Sequence, residues 1–204
     1  MGKELGPSVV LTNRDIRKML RLADANENDV FYDLGCGAGQ LCIIAVKEFN
    51  VKRAVGIEKD IGRVKKAKEN ARFSGLHNKI VIRHESIEDA NFKAATIVYC
   101  GLGEEEDSLE KYENTLQKGC RLITLDCPLV SVLPDKRDYP FYLMKFPFTK
   151  TQSADEWASA VLFKKATLEE LDLELRRDRE ISWESFSDIR LLRKLARARF
   201  KTLD

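Results

Sequence analysis

No run of this chain approaches the roughly 20 consecutive apolar residues that a membrane-spanning helix needs, so a membrane partner is not expected. Histidine is scarce, and the two present, His77 and His84, have no acid or cysteine at ligand spacing. The five cysteines, Cys36, Cys42, Cys100, Cys120 and Cys127, form no C-x-x-C pair. A metal site is therefore not expected. An odd cysteine count, with an opening M-G-K-E-L-G-P-S that holds no apolar signal core, points to reduced thiols and a cytoplasmic setting. Ser8 lies too far from Gly2 for a myristoylation pattern. Net charge is only +2, too small a total to argue by itself for nucleic acid. Repeats and low-complexity tracts are missing too. What remains is 204 residues of ordinary globular composition, enough for one domain with a substantial core and a small appendage.

The chain is organised around Val30 to Gln40, which reads V-F-Y-D-L-G-C-G-A-G-Q. An apolar run ends in an acid, glycines follow at 35, 37 and 39, and a helical pattern resumes with Leu41, Ile43, Ile44 and Val46. Such a strand, turn and helix brings a ligand close to bare backbone and aims the free N–H groups of a helix start at it. The spacing is G-x-G-x-G rather than the dinucleotide G-x-G-x-x-G, which argues against NAD. A second acid, Glu58, ends the next apolar run, Arg53–Glu58. In nucleotide-binding α/β sheets a carboxylate about 20 residues past the glycines accepts ribose hydroxyls. The competing role for Glu58 is to cap the helix that follows.

Apolar alternation and helical spacing predict strands at Val30–Leu34, Arg53–Glu58, Lys79–His84, Thr96–Cys100 and Arg121–Asp126. Helices are expected at Arg14–Ala23, capped by Thr12 or Asn13, and at Gln40–Phe49, Asp60–Phe73 and Glu106–Gln117. Repeated β-α units imply a parallel sheet covered on both faces, with ligands at the C-terminal ends of the strands. Asp33–Gly39, Glu58, His84–Ile87 and Tyr99–Gly103 all follow strand ends and are expected to converge there. After Asp126, prolines 128, 134, 140 and 147 break the pattern, and Phe141–Phe148 and Trp157–Lys164 read as two further strands. From Thr167 a capping box competes with the alternation Leu171–Leu175, and Ser185–Phe200 reads as a basic amphipathic helix. Its arginines suit nucleic acid or an acidic partner, but a docked, solvated surface helix is the favoured reading.

The D-L-G-C-G-A-G run resembles the first motif of class I S-adenosylmethionine-dependent methyltransferases. That resemblance implies a Rossmann-like seven-stranded mostly parallel sheet flanked by helices, an antiparallel C-terminal strand pair and an extra C-terminal helical segment. The domains would be 1–166 for the methyltransferase and 167–204 for the basic extension. It implies that Asp33, Gly35, Gly37 and Gly39 cradle the amino-acid moiety of S-adenosylmethionine and that Glu58 holds the ribose. Glu85, with Ser86 and Ile87, matches the acid that reads the adenine amino group; a surface or capping acid is the alternative. Gln40 closes the site, and Thr12, Cys36, Lys59 and Tyr99 complete the expected cofactor shell.

A narrower resemblance runs from about Val10 to Asp126, to small archaeal protein-lysine methyltransferases related to Dot1. It rests on the short entry helix, Gln40, A-V-G-I-E and K-G-C-R-L-I-T-L-D. Where adenine- or glutamine-methylating enzymes carry N-P-P-Y or D-P-P-Y, this chain has Tyr99-Cys-Gly-Leu-Gly103. The acceptor implied is a protein lysine. Tyr99 is a candidate channel wall, or else a core aromatic; Asp126 is a candidate to orient the amine, or else a loop cap. The acidic run Glu104–Asp107 would favour a cationic substrate, although a solvated helix start is the commoner role of such runs. Two other functions stay open: an RNA methyltransferase gripping substrate with the C-terminal helix, and a binding module that holds the cofactor without transferring its methyl group.

Overall fold

The alternation of apolar strands and amphipathic helices is realised almost residue for residue. The computed structural model describes residues 11–101, 108–152 and 156–157. Its strands are β1 (Val30–Leu34), β2 (Arg53–Glu58), β3 (Ile80–His84), β4 (Ile97–Cys100), β5 (Arg121–Leu125), β6 (Lys136–Asp138) and β7 (Phe141–Lys145). Its helices are α1 (Asn13–Leu22), α2 (Gln40–Phe49), α3 (Ile61–Phe73) and α4 (Ser108–Thr115). They form one seven-stranded sheet in the order β3-β2-β1-β4-β5-β7-β6. The first five strands of that order are parallel, and β7 and β6 are antiparallel. Chain order reverses between β1 and β4, so the crevice at their C-terminal ends is where a ligand belongs.

Period-two alternation sorts β1 between two cores. Phe31 faces the layer that holds Ile16, Met19 and Leu20 of α1 and Val64 and Ala67 of α3. Tyr32 and Leu34 face the opposite layer, with Phe92, Tyr112 and Leu129. Each fully buried Ile, Leu or Phe contributes roughly 1.5–3 kcal/mol, which makes these layers the main support of the crevice. Helix ends follow their chemistry. The Thr12 hydroxyl accepts the Asp15 N–H at 3.2 Å, and the Asp60 carboxylate accepts the Arg63 N–H at 2.7 Å. Asp60, not Glu58, is therefore the cap of α3.

The expected strand pair at the C-terminal end is corrected. β7 stops at Lys145 instead of Phe148, because Pro147 has no N–H to continue a ladder. Its antiparallel partner is β6, not Trp157–Lys164. Trp157 sits in a helical turn, buried, and its indole N–H donates to Leu129 C=O at 2.8 Å. The rest of that stretch, the run 104–107, the expected helix 185–200 and the whole expected domain 167–204 lie outside the described residues. β6 gave no signal because all three of its residues are exposed and charged, so no buried alternation marks it. Charge on an edge strand also blocks pairing with another sheet. No helix among the described residues is long and apolar enough to cross a membrane.

The N-terminal edge of the sheet is closed by a polar knot that the sequence did not announce. Asp29, 3% exposed, accepts from the Thr96 hydroxyl at 2.7 Å, the Asn26 N–H at 2.9 Å and the Arg121 guanidinium. Arg121 also donates to Ala23 C=O at 2.5 Å, tying α1, β1, β4 and β5 together away from the crevice.

Candidate functional site

At the C-terminal end of β1 the chain turns under tight backbone control. The Gly35 and Cys36 N–H groups both donate to Ile57 C=O at 2.9 Å, and Gly39 N–H returns to Cys36 C=O at 2.8 Å. Gly37 and Gly39 lie in the left-handed region, at φ 53° and 80°. A Cβ built on Gly37 would meet nothing within 4 Å, so this amide borders open space; one on Gly39 would press the Ala67 Cβ at 3.3 Å. Openness at the first and crowding at the second describe a turn backed by α3 on one side and open on the other. The Asn70 side-chain amide holds the turn from α3, donating to Ala38 C=O at 2.9 Å. Cys36 turns beneath it: a Cβ on Gly56 would come within 2.5 Å of the Cys36 sulfur. Burial pushes that thiol well above its usual range.

Two carboxylates flank the turn. Asp33 is 2% exposed, and its Oδ2 has no hydrogen-bond partner. Burial first, and then the charge of Glu58, push its pKa up to about 7. An orphaned buried carboxylate is unfavourable unless something cationic or hydrogen-donating completes it. Glu58, 6% exposed, is engaged by backbone: one oxygen accepts the Gly37 N–H and the other the Asp60 N–H, each at 2.9 Å. Each oxygen keeps a second acceptor direction for a ligand hydroxyl.

Around this centre the other expected residues take distinct places. Glu85 follows β3, its N–H donating to Glu58 C=O at 3.2 Å. Its Oε1 is buried without a hydrogen bond; Arg83 stands 3.6 Å away, close enough for charge attraction but too far for a hydrogen bond. Ser86 is committed to its own turn, hydrogen-bonded to Asp89 at 2.8 Å, and Ile87 packs half-buried on the second core. Lys59 is exposed, its carbonyl 3.0 Å from a ring nitrogen of His84. Gln40 donates to Asn13 at 3.1 Å, which fastens the start of α1, with Thr12 beside it, to the start of α2.

Tyr99 pairs in register with Asp33 across β1 and β4 and packs edge-on to Phe141, with ring centroids 6.5 Å apart. Burial first, then Asp33, raise its phenol above the usual tyrosine range. Gly101 must be glycine, since a Cβ there would stand 2.9 Å from the Tyr99 ring carbon Cζ. Asp126 lies exposed past β5 at φ 65°, its N–H donating to Pro140 C=O at 2.7 Å. The ends of β1, β2, β3 and β4 thus converge as expected. Asn13, Asn70 and Asp60 support them and were not foreseen as part of the site, because an asparagine on a helix gives no pattern to read. Among the described residues no group of histidine, cysteine and acidic side chains is placed to hold a metal.

Comparison with known proteins agrees with this geometry. Residues 33–136, about half the chain, match the family described as the ANTKMT methyltransferase domain. A protein-lysine N-methyltransferase of Saccharolobus islandicus (strain REY15A) is 32% identical over 120 residues, covering 58% of this chain and 74% of the relative. The crystal structure of an RNA methyltransferase from Salinibacter ruber, in complex with S-adenosyl-L-homocysteine, superposes with a TM-score of 0.66 at 29% identity. That match covers 71% of this chain and 98% of the other. An O-methyltransferase from Thermotoga maritima, at 20% identity and a TM-score of 0.52, shares the fold.

Proposed function

The chain belongs to the ANTKMT methyltransferase domain family and is a class I S-adenosylmethionine-dependent methyltransferase; from that premise we propose that its acceptor is a protein lysine. The observation that carries the cofactor placement is the orphaned Asp33 Oδ2 beside the open space at Gly37. The ammonium group of S-adenosylmethionine gives Asp33 its missing partner, with the rest of the amino-acid moiety along the open side of the turn at Gly37. The two ribose hydroxyls take the remaining acceptor directions of Glu58. The adenine amino group meets Glu85 Oε1, which has no hydrogen bond of its own, with the Ser86 turn and Ile87 alongside. Gln40 at the start of α2 and Asn13 at the start of α1, with Thr12, close the site.

The cofactor supplies an electrophilic methyl on a sulfonium centre. The chain must then position the nucleophile, exclude water and keep the attacking amine unprotonated. Tyr99 would offer an aromatic wall that accommodates an amine or its methylated cation, and Asp126 is the candidate to orient that amine. A protein acceptor is supported by the Saccharolobus relative, which is named for that activity. The Salinibacter structure, named for RNA methylation, supports a nucleic acid acceptor instead. The domain is taken to end near residue 166, with 167–204 as a basic extension.

Incubation with methyl-labelled cofactor and whole lysate, followed by protease or ribonuclease, separates the two. Label that survives ribonuclease and is lost to protease identifies protein as the acceptor. Label lost to ribonuclease overturns the lysine reading, and no label in any fraction leaves a cofactor-binding protein without transfer.

A further inference from the structure

The edge of the sheet where the strands begin is, at one corner, predominantly basic. Lys52 and Arg53 lead into β2, while Arg72, Phe73, His77 and Lys79 occupy the end of α3 and the turn into β3; all six are exposed. The two segments are neighbours, because Ala54 N–H donates to Lys79 C=O at 2.9 Å. The turn folds back on itself through Leu76 N–H to Ala71 C=O, also at 2.9 Å. Neither 49–54 nor 70–80 contains an acid. None of the four lysines and arginines forms an ion pair with a described residue. The preceding acid, Glu48, is held by Arg17 at 2.6 and 2.8 Å. Lys65 and Lys68 continue the cations along α3 from Arg72 at helical spacing, and the acid among them, Glu69, lies 3.8 Å from Lys66.

In its midst Phe73 is 86% exposed, against 51% for Ile61 and 71% for Tyr139. A lone exposed aromatic is not by itself a binding site; its setting among unpaired cations is what singles Phe73 out. A bilayer surface needs a contiguous apolar face, and Phe73 has none: Ile61 is at the other end of α3, about 18 Å away by helical rise. Single-stranded nucleic acid needs what is present, several unpaired exposed cations around one isolated aromatic on which a base can stack. We propose that this corner is a docking surface for single-stranded RNA, with the lysines and arginines on phosphates and Phe73 beneath a base. The patch and the crevice sit at opposite ends of β2, about 17 Å apart by strand rise, so bound RNA leaves the cofactor site open. The surface is independent of which molecule accepts the methyl group.

The test is fluorescence anisotropy of the full chain with a labelled oligouridine of about 12 nucleotides, at salt from about 50 to 300 mM. The triple variant Lys52→Ala, Arg72→Ala, Lys79→Ala is expected to bind with a salt slope shallower by about two, from ~0.7 per lost phosphate contact. Phe73→Ala is expected to bind about tenfold more weakly with the slope unchanged, the signature of lost stacking. Both variants should bind S-adenosylmethionine and melt as the unchanged protein does. Oligouridine binding that both variants retain in full overturns the proposal, as does absence of binding in the unchanged protein. Binding to phosphatidylserine vesicles that Phe73→Ala abolishes, without affinity for the oligonucleotide, assigns the corner to a membrane and also overturns it.

Discussion

The Glu58 carboxylate accepts the Gly37 N–H at 2.9 Å, so the acid ending β2 and the turn after β1 form one hydrogen-bonded unit. Glu58 therefore shapes the turn, in addition to the ribose contact proposed for it. Glu58→Ala removes a charged acceptor from two backbone amides, each bond worth about 1.5–3 kcal/mol. Cofactor affinity is expected to fall about 10- to 100-fold by calorimetry, with a lowered melting temperature. Glu58→Gln keeps an acceptor for only one of the two amides and should fall between. Unchanged affinity in both variants would remove Glu58 from the site.

If Asp33 meets the cofactor as proposed, affinity is expected to depend on pH. With its pKa raised to about 7, the folded protein without cofactor holds a proton that the unfolded chain has released. Its contribution to stability is present below the ordinary carboxylate range and is lost as pH rises to about 7. A cation bound beside it favours the charged form, so binding expels that proton. Affinity for S-adenosylmethionine is expected to be about tenfold weaker at pH 6 than at pH 8, with buffer-dependent heat of about one proton released at pH 6. Asp33→Asn should flatten this dependence while raising the stability of the cofactor-free protein above pH 7. A pH-independent affinity in the unchanged protein would show that Asp33 does not face the ligand.

Gly37 separates binding from folding. At φ 53° with nothing within 4 Å of a built Cβ, Gly37→Ala pays only the left-handed penalty, about 1–2 kcal/mol. Its methyl group nevertheless enters the space assigned to the cofactor. Denaturant titration should show a modest loss, and calorimetry a loss of affinity of more than about 100-fold. Equal affinity would place the ligand elsewhere.

The knot at the opposite edge should behave the other way round. Asp29 and Arg121 have side chains only 5% and 17% exposed, and removing one partner strands the other. Asp29→Ala is expected to cost about 3–5 kcal/mol in urea unfolding while leaving cofactor affinity of the folded protein unchanged. A loss below about 1 kcal/mol would mean that the pair is solvated.

Local chemistry alone specified much of this molecule. The alternation from Val30 to Leu125, the acid and three glycines after β1, and Glu58 at the end of the next apolar run are short-range patterns. Each is fixed by backbone geometry within a few residues, so the parallel sheet and the position of its crevice could be read directly. What only the tertiary structure decided depends on partners distant in sequence. The edge strand Lys136–Asp138 exists because β7 offers it a ladder, not because its exposed residues carry any strand pattern. Asp60 rather than Glu58 caps α3, and this frees Glu58 to hold the turn 21 residues before it. Asp33 became a titrating group through burial beside Glu58, since a carboxylate's pKa is set by its surroundings and not by its neighbours in the chain.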